Sequence, residues 1–181
     1  MADRRQVILV DVSGAALSVC DKLAAHEPPG ALHRAFSVFL ARPDGTVLVQ
    51  QRASSKYHFP GVWANACCSH PEPGEELVSS ARRRVREELG IEVGELVEAG
   101  SFVYRAADPQ SGLVEHEYDH VLVGTIADGV EAVPDPSEVA AVTYLPRSAL
   151  EGAGPAEGFA PWFAEALGIA SRALEAVTRG R

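Results

Sequence analysis

A cysteine, a histidine and a double glutamate lie close together in one stretch of this sequence, between Trp63 and Gly90. Cys68 and His70 precede a charged segment that ends in Glu87-Glu88. A thiol, an imidazole and carboxylates can together bind a metal ion, contact a phosphate and transfer a proton. We therefore expect this stretch to contribute to one site, and the rest of the chain to supply further ligands and a wall for the substrate.

Metal ligands of the imidazole and carboxylate type occur in three separate parts of the chain. The candidates are His26, His33, His70, Glu115 and Glu117. In a strand, residues i and i+2 lie on one face, so Glu115 and Glu117 point the same way and His116 points away. Such ligands suit zinc and manganese. Each residue taken alone is more simply explained as a solvent-exposed group, so the positions allow a metal site without demonstrating one.

Basic residues form a second set, which could bind phosphate oxygens. They are Lys22, Arg52, Lys56 and the run from Arg82 to Arg86. An ordinary solvated helix face with loop cations is the alternative explanation. Arg84 and Glu88 are i,i+4 neighbours on a predicted helix. One face of that helix could therefore offer a cation to a phosphate and a carboxylate to magnesium.

The adjacent cysteines Cys67 and Cys68 form a third candidate feature. A thiol near a metal and imidazoles can have a lowered pKa and exchange protons. Alternatively, the pair consists of small buried apolar side chains. Because neighbours in an extended segment face opposite ways, we expect at most one of them to be catalytic and the other to lie in the core.

The elements that position these residues follow from the hydrophobic pattern. We predict strands at 6–11, 16–20, 35–41, 46–51, 96–104, 113–127 and 139–145, and helices at about 75–89 and 158–177. Residues 21–34 form a predicted loop around Pro28-Pro29-Gly30, which places His26 and His33 on either side of a bend. Trp162 falls on the apolar face of the closing helix. The sum is one α+β domain over residues 1–181, with a mixed, mostly antiparallel sheet and flanking helices.

Composition excludes several classes of protein. The 181 residues carry a formal charge of −9, which argues against a nucleic-acid coat or an anionic membrane surface as the main partner. Three cysteines, two of them adjacent, make a disulfide framework unexpected and fit a reducing cytoplasm. We expect no signal peptide, and no apolar run approaches the roughly 18 residues of a membrane span.

The segment SHPEPGEELVSSARRRVREELGI resembles a degenerate Nudix box, whose usual form is G-x5-E-x7-R-E-U-x-E-E-x-G-U, with U aliphatic. Aligning residues 87–91 on the E-E-x-G-U end places Arg83 on the arginine and Glu75 on the first glutamate. Ser69 replaces the first glycine, and Arg84 replaces the glutamate of the R-E pair. Nudix hydrolases use that glutamate for magnesium-assisted attack by water, so the resemblance does not imply ordinary pyrophosphohydrolysis.

Further motifs resemble a branch of that superfamily, the type I isopentenyl-diphosphate isomerases. AAHEPPGALHRAFSVFL carries H-x6-H, PGVWANACCSHP carries N-x2-C-x-H-P, and YRAADP precedes VEHEYDH, which carries E-x-E. The family also has an arginine at the position of Arg84. The resemblance runs from about Val7 to Trp162, and the motifs in this order are specific. It implies a Nudix-like fold and an isomerase of isoprenoid biosynthesis that interconverts isopentenyl and dimethylallyl diphosphates.

The resemblance also implies a role for each candidate residue. One Mn²⁺ or Zn²⁺ would be held by His26, His33, His70, Glu115 and Glu117. A Mg²⁺ ion that also touches the diphosphate would be bound by Glu88 and the Cys68 carbonyl. The diphosphate would be gripped by Lys22, Arg52, Lys56 and Arg84. Cys68 and Glu117 would form the acid/base pair on opposite faces of the isoprenoid, Tyr104 would assist protonation, and Trp162 would line the hydrocarbon end.

Two other functions remain open at this point. One is a Nudix pyrophosphohydrolase acting on a nucleotide diphosphate, against which Arg84 and the Cys68/Glu117 pair argue. The other is a non-catalytic module that binds metal or diphosphate, which would require the loss of a catalytic group. For the isomerase we expect a small isoprenoid diphosphate as the partner and no nucleic acid or membrane. We also expect a cytoplasmic location, and we favour a monomer.

Overall fold

The computed structural model describes residues 6–179, which form one mixed sheet with helices on both of its faces. The strands are β1 Gln6–Val10, β2 Ala16–Asp21, β3 His33–Ala41, β4 Thr46–Arg52, β5 Trp63–Asn65, β6 Cys67–Ser69, β7 Leu96–Ala107, β8 Val114–Thr125 and β9 Val139–Pro146. The helices are α1 Lys22–His26, α2 Leu77–Leu89, α3 Arg147–Leu150 and α4 Phe163–Arg179, and a 3-10 turn spans Pro155–Glu157.

Strand β3 is the centre of the sheet. It pairs antiparallel with β1, β4 and β6, and parallel with β8. Its sequence, HRAFSVFLA, is apolar almost throughout, as expected for a strand that is covered on both faces. β7 lies antiparallel to β8, and β5 and β9 lie antiparallel to β4. The expected mixed, mostly antiparallel sheet with flanking helices is therefore confirmed.

Alternate residues of the central strands pack against different helices. Phe39 and Val121 belong to the core beneath α4, whereas Leu40 and Leu122 belong to the core beneath α2. This division follows from the period of two along a strand, which sends neighbouring side chains to opposite faces. The central strands are therefore held from both faces.

Helix α2 begins two residues later than the sequence pattern predicts. The Glu76 carboxylate accepts hydrogen bonds from the backbone N–H groups of Val78 and Ser79, so Glu76 is the N-cap. Glu75 lies outside the helix and bonds Arg83 instead. Gly90 ends the helix in the left-handed conformation with φ 66°, as its glycine predicts.

Helix α4 begins at Phe163, five residues after the predicted start. Pro161 lacks a backbone N–H and disfavours a helical residue before it, and Trp162 then offers its carbonyl to Ala166 as the first turn forms. Trp162 therefore precedes the helix, and its placement on a helix face was wrong. None of the helices in the described range is both long and apolar enough to cross a membrane.

Several short elements were not predicted. A five-residue helix, α1, occupies the segment that was read as a loop, and Asp21 caps it by accepting from Leu23 and Ala24. Strands β5 and β6 and helix α3 were also missed. Elements of three to five residues are too short to show periodicity, and their pairing partners are distant in the sequence.

Candidate active site

One cavity brings together residues that the sequence pattern placed in separate sets. Its lining comprises Lys22, Arg52, Lys56, His58, Cys68, Ser69, His70, Arg84, Tyr104, Glu115 and Glu117. All four candidate phosphate-binding cations and both members of the candidate acid/base pair are in this set. The candidates His26, His33, Glu88 and Trp162 are buried and are not part of the lining.

Strand register accounts for this convergence. His33 on β3 lies opposite Glu117 on β8, and Tyr104 on β7 lies opposite Glu117 from the other side. Cys68 on β6 lies opposite Ser37 on β3. Four strands, β3, β6, β7 and β8, thus bring their functional side chains together.

Four donor atoms form a compact group at the inner end of the cavity. One atom each from His26, His33, His70 and Glu117 lies within 4.8 Å of all the others. The Nε2 atoms of His33 and His70 are 3.1 Å apart, and His70 Nε2 is 2.8 Å from Glu117 Oε1. Three imidazoles and a carboxylate are a set that divalent transition metals accept.

Backbone carbonyls orient two of these imidazoles. Nδ1 of His26 donates to the Lys22 carbonyl at 2.7 Å, and Nδ1 of His33 donates to the Ala31 carbonyl at 2.8 Å. The proton of each ring therefore sits on Nδ1, which leaves the Nε2 lone pair directed into the group. His26 Nε2 is buried without a hydrogen-bond partner among the described residues. The residues present thus fit a divalent metal ion.

Burial and the charge of Glu117 set the protonation states of the group. Burial, with a contribution from His33, lowers the pKa of His26 to about 4. Burial also holds the pKa of His70 well below its ordinary value. For Glu117, burial opposes the charged form, but hydrogen bonds from His33 and His70 outweigh it and hold the pKa well below its usual range. For His33, burial opposes the charged form, but the Glu117 carboxylate outweighs it and raises the pKa. Because metals bind neutral imidazoles and ionised carboxylates, an ion bound here would take the place of a proton on His33.

Glu115 belongs to a second group, which includes a residue that sequence reasoning missed. Glu115 Oε1 is 2.6 Å from His58 Nε2, and these two residues group with His26. Glu115 and Glu117 point the same way, as predicted, and His116 turns away to contact the Gly30 carbonyl. The position of His58 in the sequence could have indicated a role, because it lies two residues after Lys56 in the segment that supplies candidate phosphate-binding cations.

Tyr104 connects the two carboxylates. Its hydroxyl oxygen is 2.6 Å from Glu115 Oε2 and 2.6 Å from Glu117 Oε2, so its one hydrogen is shared between two acceptors. Burial, together with the charges of Glu115 and Glu117, holds the pKa of Tyr104 well above its usual range. Tyr104 therefore keeps its proton next to the carboxylates.

Cys68 is fixed on another wall of the cavity by a buried asparagine. Its thiol donates to Asn65 Oδ1 at 3.1 Å, and Trp162 Nε1 donates to the same oxygen at 3.3 Å. The Asn65 amide donates to the carbonyls of Val38 and Cys67, which fixes its orientation. One side chain that sequence reasoning left without a role thus orients two of the predicted catalytic residues.

The pKa of Cys68 is raised, contrary to the lowered value that proximity to a metal and imidazoles suggested. Burial is the main cause, and the charge of Asp119 adds to it. Asp119 accepts from Ser37 Oγ at 2.7 Å, and Ser37 Oγ is 3.8 Å from the Cys68 sulfur. Cys67 is fully buried beneath α2, so the two cysteines face opposite sides, as predicted. Cys68 therefore enters the site as a protonated thiol.

The cations are held by carboxylates and carbonyls. Arg52 is buried and donates to the carbonyls of Phe59 and His58. Arg84 donates to Glu88 at 2.6 Å, and Lys56 and Arg84 both pair with Glu138. Of the basic run on α2, Arg84 alone lines this cavity.

Glu88 and Trp162 lie behind the lining residues. Glu88 is 2% exposed, with Arg84 on one oxygen and the Gln50 amide on the other. Trp162 is also 2% exposed, and its ring centroid is 5.8 Å from that of Tyr104. Both residues therefore lie next to the site but do not line the cavity; Arg84 stands between Glu88 and the cavity, and Tyr104 lines it beside Trp162.

The comparisons first define a class. Residues 31–163 match the NUDIX domain family. A solved structure from Deinococcus radiodurans superposes with a TM-score of 0.69 at 20% identity, covering 90% of this chain and 96% of that one. A MutT protein from Methanosarcina mazei superposes with a TM-score of 0.63 at 17% identity, covering 78% and 94%. The fold is that of a Nudix domain.

More similar relatives define the family within that class. An isopentenyl-diphosphate Delta-isomerase of Streptomyces coelicolor is 47% identical over 94% of this chain and 85% of the relative. One of Nocardia farcinica is 48% identical over 92% of this chain and 95% of the relative. The chain belongs to the isopentenyl-diphosphate Delta-isomerase family of the Nudix superfamily.

Proposed function

We propose that the protein interconverts isopentenyl and dimethylallyl diphosphates, in isoprenoid biosynthesis. The observation that carries the proposal is one cavity lined by the Cys68 thiol, the Glu117 carboxylate and four cations. The relatives that carry this name match almost the full length of the chain. A group of four cations suits the diphosphate of the substrate, and an acid/base pair beside it suits proton transfer to and from the hydrocarbon part.

The reaction needs one proton added and another removed. A proton bonds to the terminal alkene carbon, and a proton leaves the carbon next to the one that bears the diphosphate, so the double bond moves and no atom is lost. Groups on two sides of the carbon skeleton must carry these protons. We assign the two roles to Cys68 and Glu117, and Tyr104 assists by sharing its hydrogen with the carboxylates.

Protonating the alkene places positive charge on a tertiary carbon. An aromatic face within about 6 Å stabilises such a cation through its quadrupole, and a closed pocket excludes the water that would trap it. Tyr104 lines the cavity, with Trp162 behind it. We assign Trp162 to the hydrocarbon end, behind the ring of Tyr104.

Two ions complete the proposal. We assign Mn²⁺ or Zn²⁺ to His26, His33, His70, Glu115 and Glu117, and Mg²⁺ with the diphosphate to Glu88 and the Cys68 carbonyl. When bound, these ions neutralise the negative charge of the site and of the diphosphate. The protein's part is to orient the imidazoles through backbone carbonyls and to grip the diphosphate with Lys22, Arg52, Lys56 and Arg84.

We also propose that the protein works in the cytoplasm as a monomer, without nucleic-acid or membrane partners. The net charge of −9 repels polyanions. All three cysteines, Cys20, Cys67 and Cys68, are free thiols, which suits a reducing compartment.

The proposal is tested by supplying isopentenyl diphosphate and, separately, nucleoside diphosphate substrates to the protein loaded with Mg²⁺ and Mn²⁺. We expect dimethylallyl diphosphate from the first and no phosphate release from the second. Phosphate release from a nucleotide without isomerisation would establish a pyrophosphohydrolase instead. Binding of isopentenyl diphosphate with no turnover would establish a non-catalytic module.

A further inference from the structure

His58 contacts Glu115 in a part of the site that no motif identified. The two side chains are 5% and 3% exposed, and His58 Nε2 lies 2.6 Å from Glu115 Oε1. The ring centroid of His58 is 5.2 Å from that of His26. Position 58 lies outside H-x6-H, N-x2-C-x-H-P and E-x-E. A buried imidazole thus bonds directly to a candidate metal ligand.

His58 uses a different ring nitrogen for its hydrogen bond than His26 and His33 do. Nδ1 of His26 and of His33 donates to a backbone carbonyl, which leaves Nε2 as a lone pair for a metal. Nδ1 of His58 is buried and has no partner among the described residues. Nε2 lies 2.6 Å from Glu115 Oε1 and 3.3 Å from Nη2 of Arg52. Because the carboxylate can only accept and is the nearer of the two, we place the proton of His58 on Nε2, where Glu115 accepts it. In that form Nε2 has no lone pair to give a metal.

The backbone of His58 is fixed from the other side by Arg52. The Arg52 guanidinium donates to the carbonyl of Phe59 at 2.9 Å and to that of His58 at 3.0 Å. Arg52 itself is 5% exposed. The cation that is assigned to the diphosphate thus holds the loop that presents the His58 ring to Glu115.

We propose that His58 is a positioning residue of the metal site, which orients Glu115 by donating Nε2–H to its Oε1. Tyr104 donates to the other oxygen, so both oxygens of Glu115 are held, and an oxygen of Glu115 lies within 4.8 Å of ring nitrogens of His26 and His58. Outer hydrogen-bond partners of this kind orient ligands and tune metal affinity. The inference rests on the metal site of the proposed function, and it adds a residue to which no role was assigned.

The test is Mn²⁺ affinity, measured without substrate by competition with a chelator. His58→Ala removes the donor, whereas His58→Gln keeps an N–H at similar reach. We expect His58→Ala to weaken binding about 10- to 100-fold, as losses of such partners typically do, and His58→Gln to restore most of it. In His58→Ala, the further change Glu115→Gln should add little, because the first variant has already lost the orientation of Glu115.

His116→Ala is the matched control, because His116 adjoins Glu115 on β8 but contacts the Gly30 carbonyl instead. Wild-type affinity in His58→Ala would overturn the proposal. Equal losses in His58→Ala and His58→Gln would make His58 a direct ligand and also overturn it. Circular dichroism confirms that each variant is folded. Isomerisation by the wild type is assayed separately, so failure of the proposed function is distinguishable from failure of this inference.

Discussion

At the scale of single residues, neighbours in the sequence have different tasks. Cys67 and Cys68 are adjacent, yet one thiol is enclosed beneath α2 and the other lines the cavity. Glu115 and Glu117 share a strand face, yet one contacts His58 and the other contacts His33 and His70. Substituting the two members of each pair one at a time therefore distinguishes roles that the sequence pattern does not distinguish.

Cys68→Ala should abolish isomerisation and leave the fold intact, because the thiol is one of the two proton-carrying groups. Cys67→Ala should be mild, since it removes one sulfur from a core position and no reacting group. Turnover of isopentenyl diphosphate and thermal unfolding of both variants provide the measurement. Equal loss of activity in both variants would show that the catalytic cysteine was assigned incorrectly.

Glu117→Gln keeps the size of the side chain and one carbonyl oxygen but cannot carry a proton. We expect it to lose nearly all turnover and only part of its bound metal. Glu115→Gln should recover part of its activity in excess metal, because Glu115 has a ligand role alone. Both variants are assayed for turnover and bound metal across a Mn²⁺ titration. Complete rescue of Glu117→Gln by metal would leave Glu117 as a ligand without an acid/base role.

At the scale of elements, helix α2 carries Arg84, one of the two departures from the usual Nudix box, next to Arg83, which matches the box. Arg83 bonds Glu75 and Glu87, two of the glutamates of the box, and so ties the preceding loop to the helix. Arg84, one residue on, turns inward to Glu88 and the cavity. The helical rotation of about 100° per residue is what gives these two arginines different surroundings.

Arg84→Glu should weaken diphosphate binding, because it removes a charge-assisted contact worth about 1.5–3 kcal/mol and adds repulsion. It should not create an efficient hydrolase, since the cavity keeps its other residues. Arg82→Glu makes the same charge change on an exposed position of the same helix and is the control. Calorimetric titration with isopentenyl diphosphate measures both, and unchanged affinity in Arg84→Glu would contradict its role.

At the scale of the whole molecule, the metal group joins distant parts of the fold. His26 ends α1, His33 begins β3, His70 follows β6 and Glu117 lies on β8. Unfolding must separate these donors. An ion that binds the native group therefore stabilises the entire chain and not one element.

Mn²⁺ at 100 times its Kd should stabilise the protein by about 2.7 kcal/mol, through binding to the native state alone. For a chain of this size that corresponds to a rise in Tm of roughly 5–11 °C. Thermal unfolding is followed by circular dichroism with Mn²⁺ and with a chelator. His26→Ala should remove most of the difference and His116→Ala should retain it; a difference that persists in His26→Ala would place the ion elsewhere.

The sequence by itself determined the fold class, the main strands and helix α2 with its terminal glycine. It also determined the motifs H-x6-H and E-x-E. These features depend on local spacing: alternation along strands, a capped helical pattern, and motifs of a few residues. The resemblance to known isomerases could be stated because the motifs occur in order along the chain.

Only the tertiary structure decided which candidates meet. The parallel pairing of β3 with β8 places His33 beside Glu117, and the same register brings Asp119 to Ser37 and so toward Cys68. His58 was missed because its partner Glu115 lies on β8, far away in the sequence. Asn65 stands in the N-x2-C-x-H-P motif, but its link from Cys68 to Trp162 exists only in the packed chain. The raised pKa of Cys68 is also a consequence of its burial in the folded protein. Burial and long-range register are properties of the packed chain, and no window of sequence contains them.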